Sequence, residues 1–124
     1  MMNAYARSQI AYSNNKSATR TEQSIEYELF AKMTSALARS DQSGLFASLA
    51  KAVHDNRRLW ITLAADVSED GNTLPIELRA QIFYLAEFTQ HHSSKVLNEG
   101  ASVEPLIEIN RSIMSGLFAQ RGAA

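Results

Sequence analysis

A chain of 124 residues with 45% hydrophobic and 20% charged residues suits a single domain and can bury about two thirds of its unfolded surface without a metal or disulfide. It has no cysteine, which excludes a disulfide framework, a thiolate metal site and a cysteine nucleophile, and suits a reducing compartment. A net charge of −1 and a pI near 6.3 offer no field for a phosphate backbone, so nucleic acid is not expected as a direct partner.

No apolar run approaches the ~20 residues of a membrane helix, and the opening Met1-Met2-Asn3-Ala4-Tyr5-Ala6-Arg7 has no signal-peptide core. A cytoplasmic protein without membrane insertion is expected. Residues 1–20 hold Arg7, Lys16 and Arg20 but no acid, and Ser13-Asn14-Asn15-Lys16-Ser17 is too polar to pack. This segment reads as a flexible N-terminal arm ahead of a helical domain over 21–120.

Thr19 and Glu22 have capping-box spacing, and Ile25, Leu29, Met33 and Leu37 then repeat every fourth residue with Phe30 alongside. The first helix is predicted from about Thr21 to Arg39, followed by a connection over Ser40-Asp41-Gln42-Ser43-Gly44. Leu49, Val53, Asn56, Trp60, Leu63 and Val67 form the stripe of a long second helix ending near Asp66. Ser68-Glu69-Asp70-Gly71-Asn72-Thr73 is turn chemistry, and Pro75 suits a first helical position because its missing N–H has no partner there anyway.

The third helix is predicted from Pro75 to Leu97, with Leu78, Ile82, Leu85, Thr89, His92 and Val96 inward and Asn98-Glu99-Gly100 as its stop. Ser102 caps a last helix with Glu104 and Pro105 in its first turn. Leu106, Ile109, Ile113, Met114 and Leu117 are its apolar face, and it frays into Gln120-Arg121-Gly122. Four amphipathic helices on short connections predict an all-α, compact four-helix bundle-like domain.

Chemistry is sparse. His91 and His92 project about 100° apart on a helix and cannot share a metal, so His92 reads as a half-buried seam residue and His91 as a solvated one. Glu104 and Glu108 belong to a helix start, where the dipole favours carboxylates. No motif assembles a nucleophile, base and oxyanion donors, so neither an enzyme nor a bound cofactor is expected.

Asn56 and Asn110 each place an amide on an apolar stripe. A buried amide must find partners or cost about 1–3 kcal/mol, so the two either bond within the core or meet a binding partner. Asp55 can pair with Arg58 at i, i+3, whereas Arg57 has no partner on its own helix. An Arg beside Trp60 is equally a recognition composition and a core one.

Several segments together carry a resemblance: Asn56-Arg57-Arg58-Leu59-Trp60, Leu63-Ala64-Ala65-Asp66, Asn72 before Leu74-Pro75, Leu78-Arg79-Ala80, and Leu106-Ile107 before Ile109-Asn110-Arg111. With Asn3-Ala4-Tyr5 and Glu28-Leu29-Phe30, this order is similar to the FlaF family of flagellar biosynthesis regulators of alphaproteobacteria, departing from it mainly in the polar stretch from Tyr12 to Arg20. The resemblance implies a role in flagellin synthesis and export, and two mechanisms fit it.

In the first, the helical domain is a secretion chaperone holding the amphipathic terminal helices of unpolymerised flagellin in a groove. In the second, it is an adaptor that binds FlbT, a regulator restraining flagellin translation. The residues this places at the partner surface are Asn56, Arg57, Arg58, Trp60, Asp66, Arg79 and Asn110. By analogy with the flagellin chaperone FliS, which is similarly small and helical, the arm would cover the groove through Tyr5, Ile10 and Tyr12 until flagellin displaces it.

Overall fold

In a computed structural model the described residues are 22–123, with side chains described over 27–116. They form four helices: α1 Glu22–Ser43, α2 Phe46–Val67, α3 Ile76–Glu99 and α4 Glu104–Ala123. Each helix packs on its neighbour in the chain, except that α3 meets α4 more thinly, and α1 closes the ring against α4. The fold is the expected all-α four-helix bundle. The arm with Tyr5, Ile10 and Tyr12 lies outside the described residues, as do the side chains of Ile25 and Leu117.

The connections correct the predicted boundaries. α1 runs a turn beyond Arg39, through Ser43, because polar residues on a solvent face do not stop a helix. The stop is Gly44, whose φ of 71° is a left-handed conformation that suits glycine. Leu45 alone then leads into α2, which forces α1 and α2 into an antiparallel hairpin. Pro75 is the residue before α3 rather than its first: its ψ of 144° is extended, while its carbonyl accepts the Arg79 N–H at 3.0 Å.

α3 continues to Glu99 and ends at Gly100 with φ 68°, and the Ala101 N–H turns back to the Lys95 carbonyl at 3.2 Å. Ser102 caps as expected, its Oγ accepting the Glu104 N–H at 3.1 Å. α4 remains helical to Ala123 instead of fraying from Gln120.

The core divides into two apolar clusters. Phe30, Trp60, Leu63, Val67, Ile82, Ala86 and Ile113 fill the half near the α2–α3 loop. Leu37, Ala52, Val53, Val96, Val103, Leu106 and Ile107 fill the other. Between them every helix contributes a buried polar residue: Thr34 from α1, Asn56 from α2, Thr89 and Ser93 from α3, Asn110 from α4. Phe30 meets the Trp60 ring edge-on, with centroids 5.4 Å apart and planes at 80°, a favoured aromatic geometry.

An added Cβ at Gly100 would meet nothing within 4 Å, so its substitution isolates the backbone effect. Gly100→Ala should lower stability by roughly 1–2 kcal/mol. Gly71→Ala, where the backbone is not left-handed and the space is equally open, should change it by under about 0.5 kcal/mol. Urea unfolding of both variants checks the contrast.

Candidate partner-binding surface

Three of the seven residues expected at a partner surface are fully buried: Asn56, Trp60 and Asn110. They form one hydrogen-bond relay. The Trp60 indole Nε1 donates to Asn110 Oδ1 at 2.8 Å, and Asn110 Nδ2 donates to Asn56 Oδ1 at 2.7 Å. The amides therefore bond to each other, and this trio ties α2 to α4 through the polar layer. The remaining Asn56 amide nitrogen and the Thr89 and Ser93 hydroxyls are buried without a partner among the described residues.

The two half-buried arginines are engaged between helices. Arg57 Nε donates to Gln90 Oε1 at 3.1 Å and its Nη2 to Ser94 Oγ at 3.4 Å, while Gln90 Nε2 returns to the Arg57 carbonyl at 3.4 Å. Arg79 Nε donates to the Val67 carbonyl at 3.0 Å and its Nη2 to the Glu69 carbonyl at 3.3 Å. It thus places its charge on carbonyls at and just beyond the end of α2, where a cation opposes the helix dipole.

Asn72 completes that corner. Its Nδ2 donates to the Asp66 carbonyl at 3.2 Å and its Oδ1 accepts the Leu74 N–H at 3.0 Å, so a short polar side chain stands in for backbone in the turn. Asp66 itself is half-buried there.

Arg58 is exposed, but the expected Asp55–Arg58 pair is absent. Asp55 Oδ2 instead takes Lys51 Nζ at 2.7 Å, one turn earlier. His92 is half-buried and His91 exposed, as read from the sequence. His92 Nε2 lies 2.7 Å from the Ser102 carbonyl, and its ring stacks on Phe88 at 5.7 Å. Among the described residues no group of three or more His, Cys, Asp or Glu side chains could hold a metal ion.

The surface that sequence reading missed lies between the two arginine clamps. Arg57 bonded to Gln90 and Arg79 bonded to Val67 set α2 and α3 antiparallel, and Ile61 and Phe83 fall at neighbouring levels of the two helices between these bonds. Ile61 is 55% exposed, Phe83 46%, and Ile76 at the start of α3 72%. Arg58, one turn before Ile61 on α2, is exposed as well. The available signal was the pair Phe83-Tyr84 with Phe88, which lie off the inward stripe of α3 and make that helix apolar on more than one side.

The relay predicts its own energetics. Asn110→Ala orphans the Trp60 N–H and an Asn56 acceptor together and should cost roughly 2–5 kcal/mol. Trp60→Phe orphans one acceptor and should cost less, and the double variant should lose less than the two singles combined. Denaturant titration of the cycle decides it: a loss under about 1 kcal/mol for Asn110→Ala would remove the relay as a determinant of the fold.

The family model for flagellar protein FlaF matches residues 8–117 of the chain. No curated protein and no solved structure matches it.

Proposed function

The chain belongs to the FlaF family of flagellar proteins, and from that premise we propose that it binds flagellin before assembly, receiving an amphipathic flagellin helix in the α2–α3 groove. One observation carries this reading: Ile61, Ile76 and Phe83 are exposed along the edge of a bundle whose inward stripes are otherwise buried. Large exposed apolar side chains clustered beside polar ones mark partner surfaces, and a groove between two antiparallel helices suits a third helix.

The chemistry asked of the protein is modest. Covering the apolar stripe of an unpolymerised flagellin helix blocks premature assembly, and a docking contact without covalent steps leaves the cargo releasable at the export site. The work is binding, not catalysis, and is placed in the cytoplasm, where flagellin is made. No helix among the described residues is long and apolar enough to cross a membrane, which accords with that placement.

Calorimetric titration with monomeric flagellin tests the reading. Saturable binding is expected, weakened roughly tenfold or more by Ile61→Ala with Phe83→Ala while circular dichroism shows the helices intact. Absence of binding, or binding indifferent to that variant, overturns the groove. A parallel titration with FlbT separates the adaptor reading, which predicts saturable binding to FlbT and none to flagellin.

A further inference from the structure

The outer face of α3 carries a second pattern that neither the core nor the groove uses. Glu77, Gln81, Tyr84, Phe88, His91 and Lys95 succeed one another at spacings of four, three, four, three and four, which aligns them in one strip along a helix. All six are exposed, with Tyr84 at 69% and Phe88 at 39%. Glu77 and Lys95 form no ion pair among the described residues. The strip is turned about 100° around α3 from the line of Ile76 and Phe83.

Its order is acid, amide, aromatic, aromatic, imidazole, base, and the positions are symmetric about 86. A second copy laid antiparallel across this strip, with a two-fold axis at the level of Ala86, therefore meets complementary chemistry along its whole length. Glu77 faces Lys95 of the second copy, Gln81 faces its His91, and Tyr84 faces its Phe88, each contact occurring twice. A parallel alignment would instead set Glu77 against Glu77 and Lys95 against Lys95. The charges therefore select one direction, while four aromatic rings at the centre supply the apolar contact.

We infer that two copies of this chain associate through the Glu77–Lys95 strip of α3 as an antiparallel pair. A contact confined to one helix face is small, in the class of transient interfaces, so the pair exchanges rather than persisting. Phe88 is held for this contact by its stack on His92. The inference does not rest on the flagellin reading, because Ile61 and Phe83 lie off the strip and self-association needs no second protein.

Sedimentation velocity of the full purified chain over a dilution series is the test. A monomer–dimer equilibrium is expected, weakened roughly tenfold by Tyr84→Ala and unaffected by Phe83→Ala. Glu77→Lys and Lys95→Glu should each weaken it by bringing like charges into register, and the combined Glu77→Lys/Lys95→Glu variant should recover the native constant. A monomer at every concentration, a dimer indifferent to Tyr84→Ala, or a double variant no tighter than the singles overturns it. Loss of self-association with flagellin binding intact would leave the groove reading standing, and the reverse result would leave this one standing.

Discussion

The arrangement of this bundle depends on how two buried asparagines are satisfied. Trp60, Asn110 and Asn56 are fully buried, and the indole-to-amide-to-amide chain crosses the interior between α2 and α4, which face each other across the ring rather than side by side. Sliding α4 by one turn would set Leu106 or Ile113 against Asn56 and strand the Trp60 N–H in an apolar cluster. Such an orphan costs more than the bond itself contributes, so the relay selects one register among several that hydrophobic packing alone would accept. The two apolar clusters hold their relative positions because the polar layer lies between them.

A second constraint acts on the α2–α3 side. Arg57 near the middle of α2 and Arg79 near the start of α3 reach across to the opposite helix or its terminal carbonyls. Both use guanidinium donors for geometry, with more than one hydrogen bond each, a task the planar fork performs better than an ammonium would. With these cations committed to joining helices, the surface left along that edge is dominated by Ile61, Ile76 and Phe83. If this side meets a partner, as proposed, the contact it offers is mainly apolar and suits a partner helix better than an acidic segment.

α3 is the helix on which these demands converge. It supplies Ile82, Ala86, Thr89, Ser93 and Val96 to the interior, receives the Arg57 clamp and supplies the Arg79 one, and leaves Phe83, Tyr84 and Phe88 exposed. A helix apolar on several sides is ordinarily buried on several sides, yet within one chain α3 packs firmly on α2 and only thinly on α4. The excess aromatic surface of α3 is therefore left exposed in the single chain.

Helix number, the inward stripes of α2 and α3, the stop at Gly100, and the placing of His91 outside and His92 at the seam were legible in the sequence, because periodicity and left-handed glycines act over a few residues, whereas the end of α1 at Gly44 rather than Arg39 was not. The matching order of short segments likewise identified the family. What the sequence left open was the destination of side chains whose partners lie tens of residues away: Asn56 with Asn110, Arg57 with Gln90, Arg79 with the end of α2. The sequence left each open between a contact and an internal role, and only the packed helices showed the asparagines bonded in the core and the arginines bonded between helices. Conversely, Ile61 and Phe83 have the composition of ordinary core residues, and only the packed helices left them exposed. Local periodicity determines which residues share a helix face, but the register between helices decides whether that face meets the core, a neighbour or a partner.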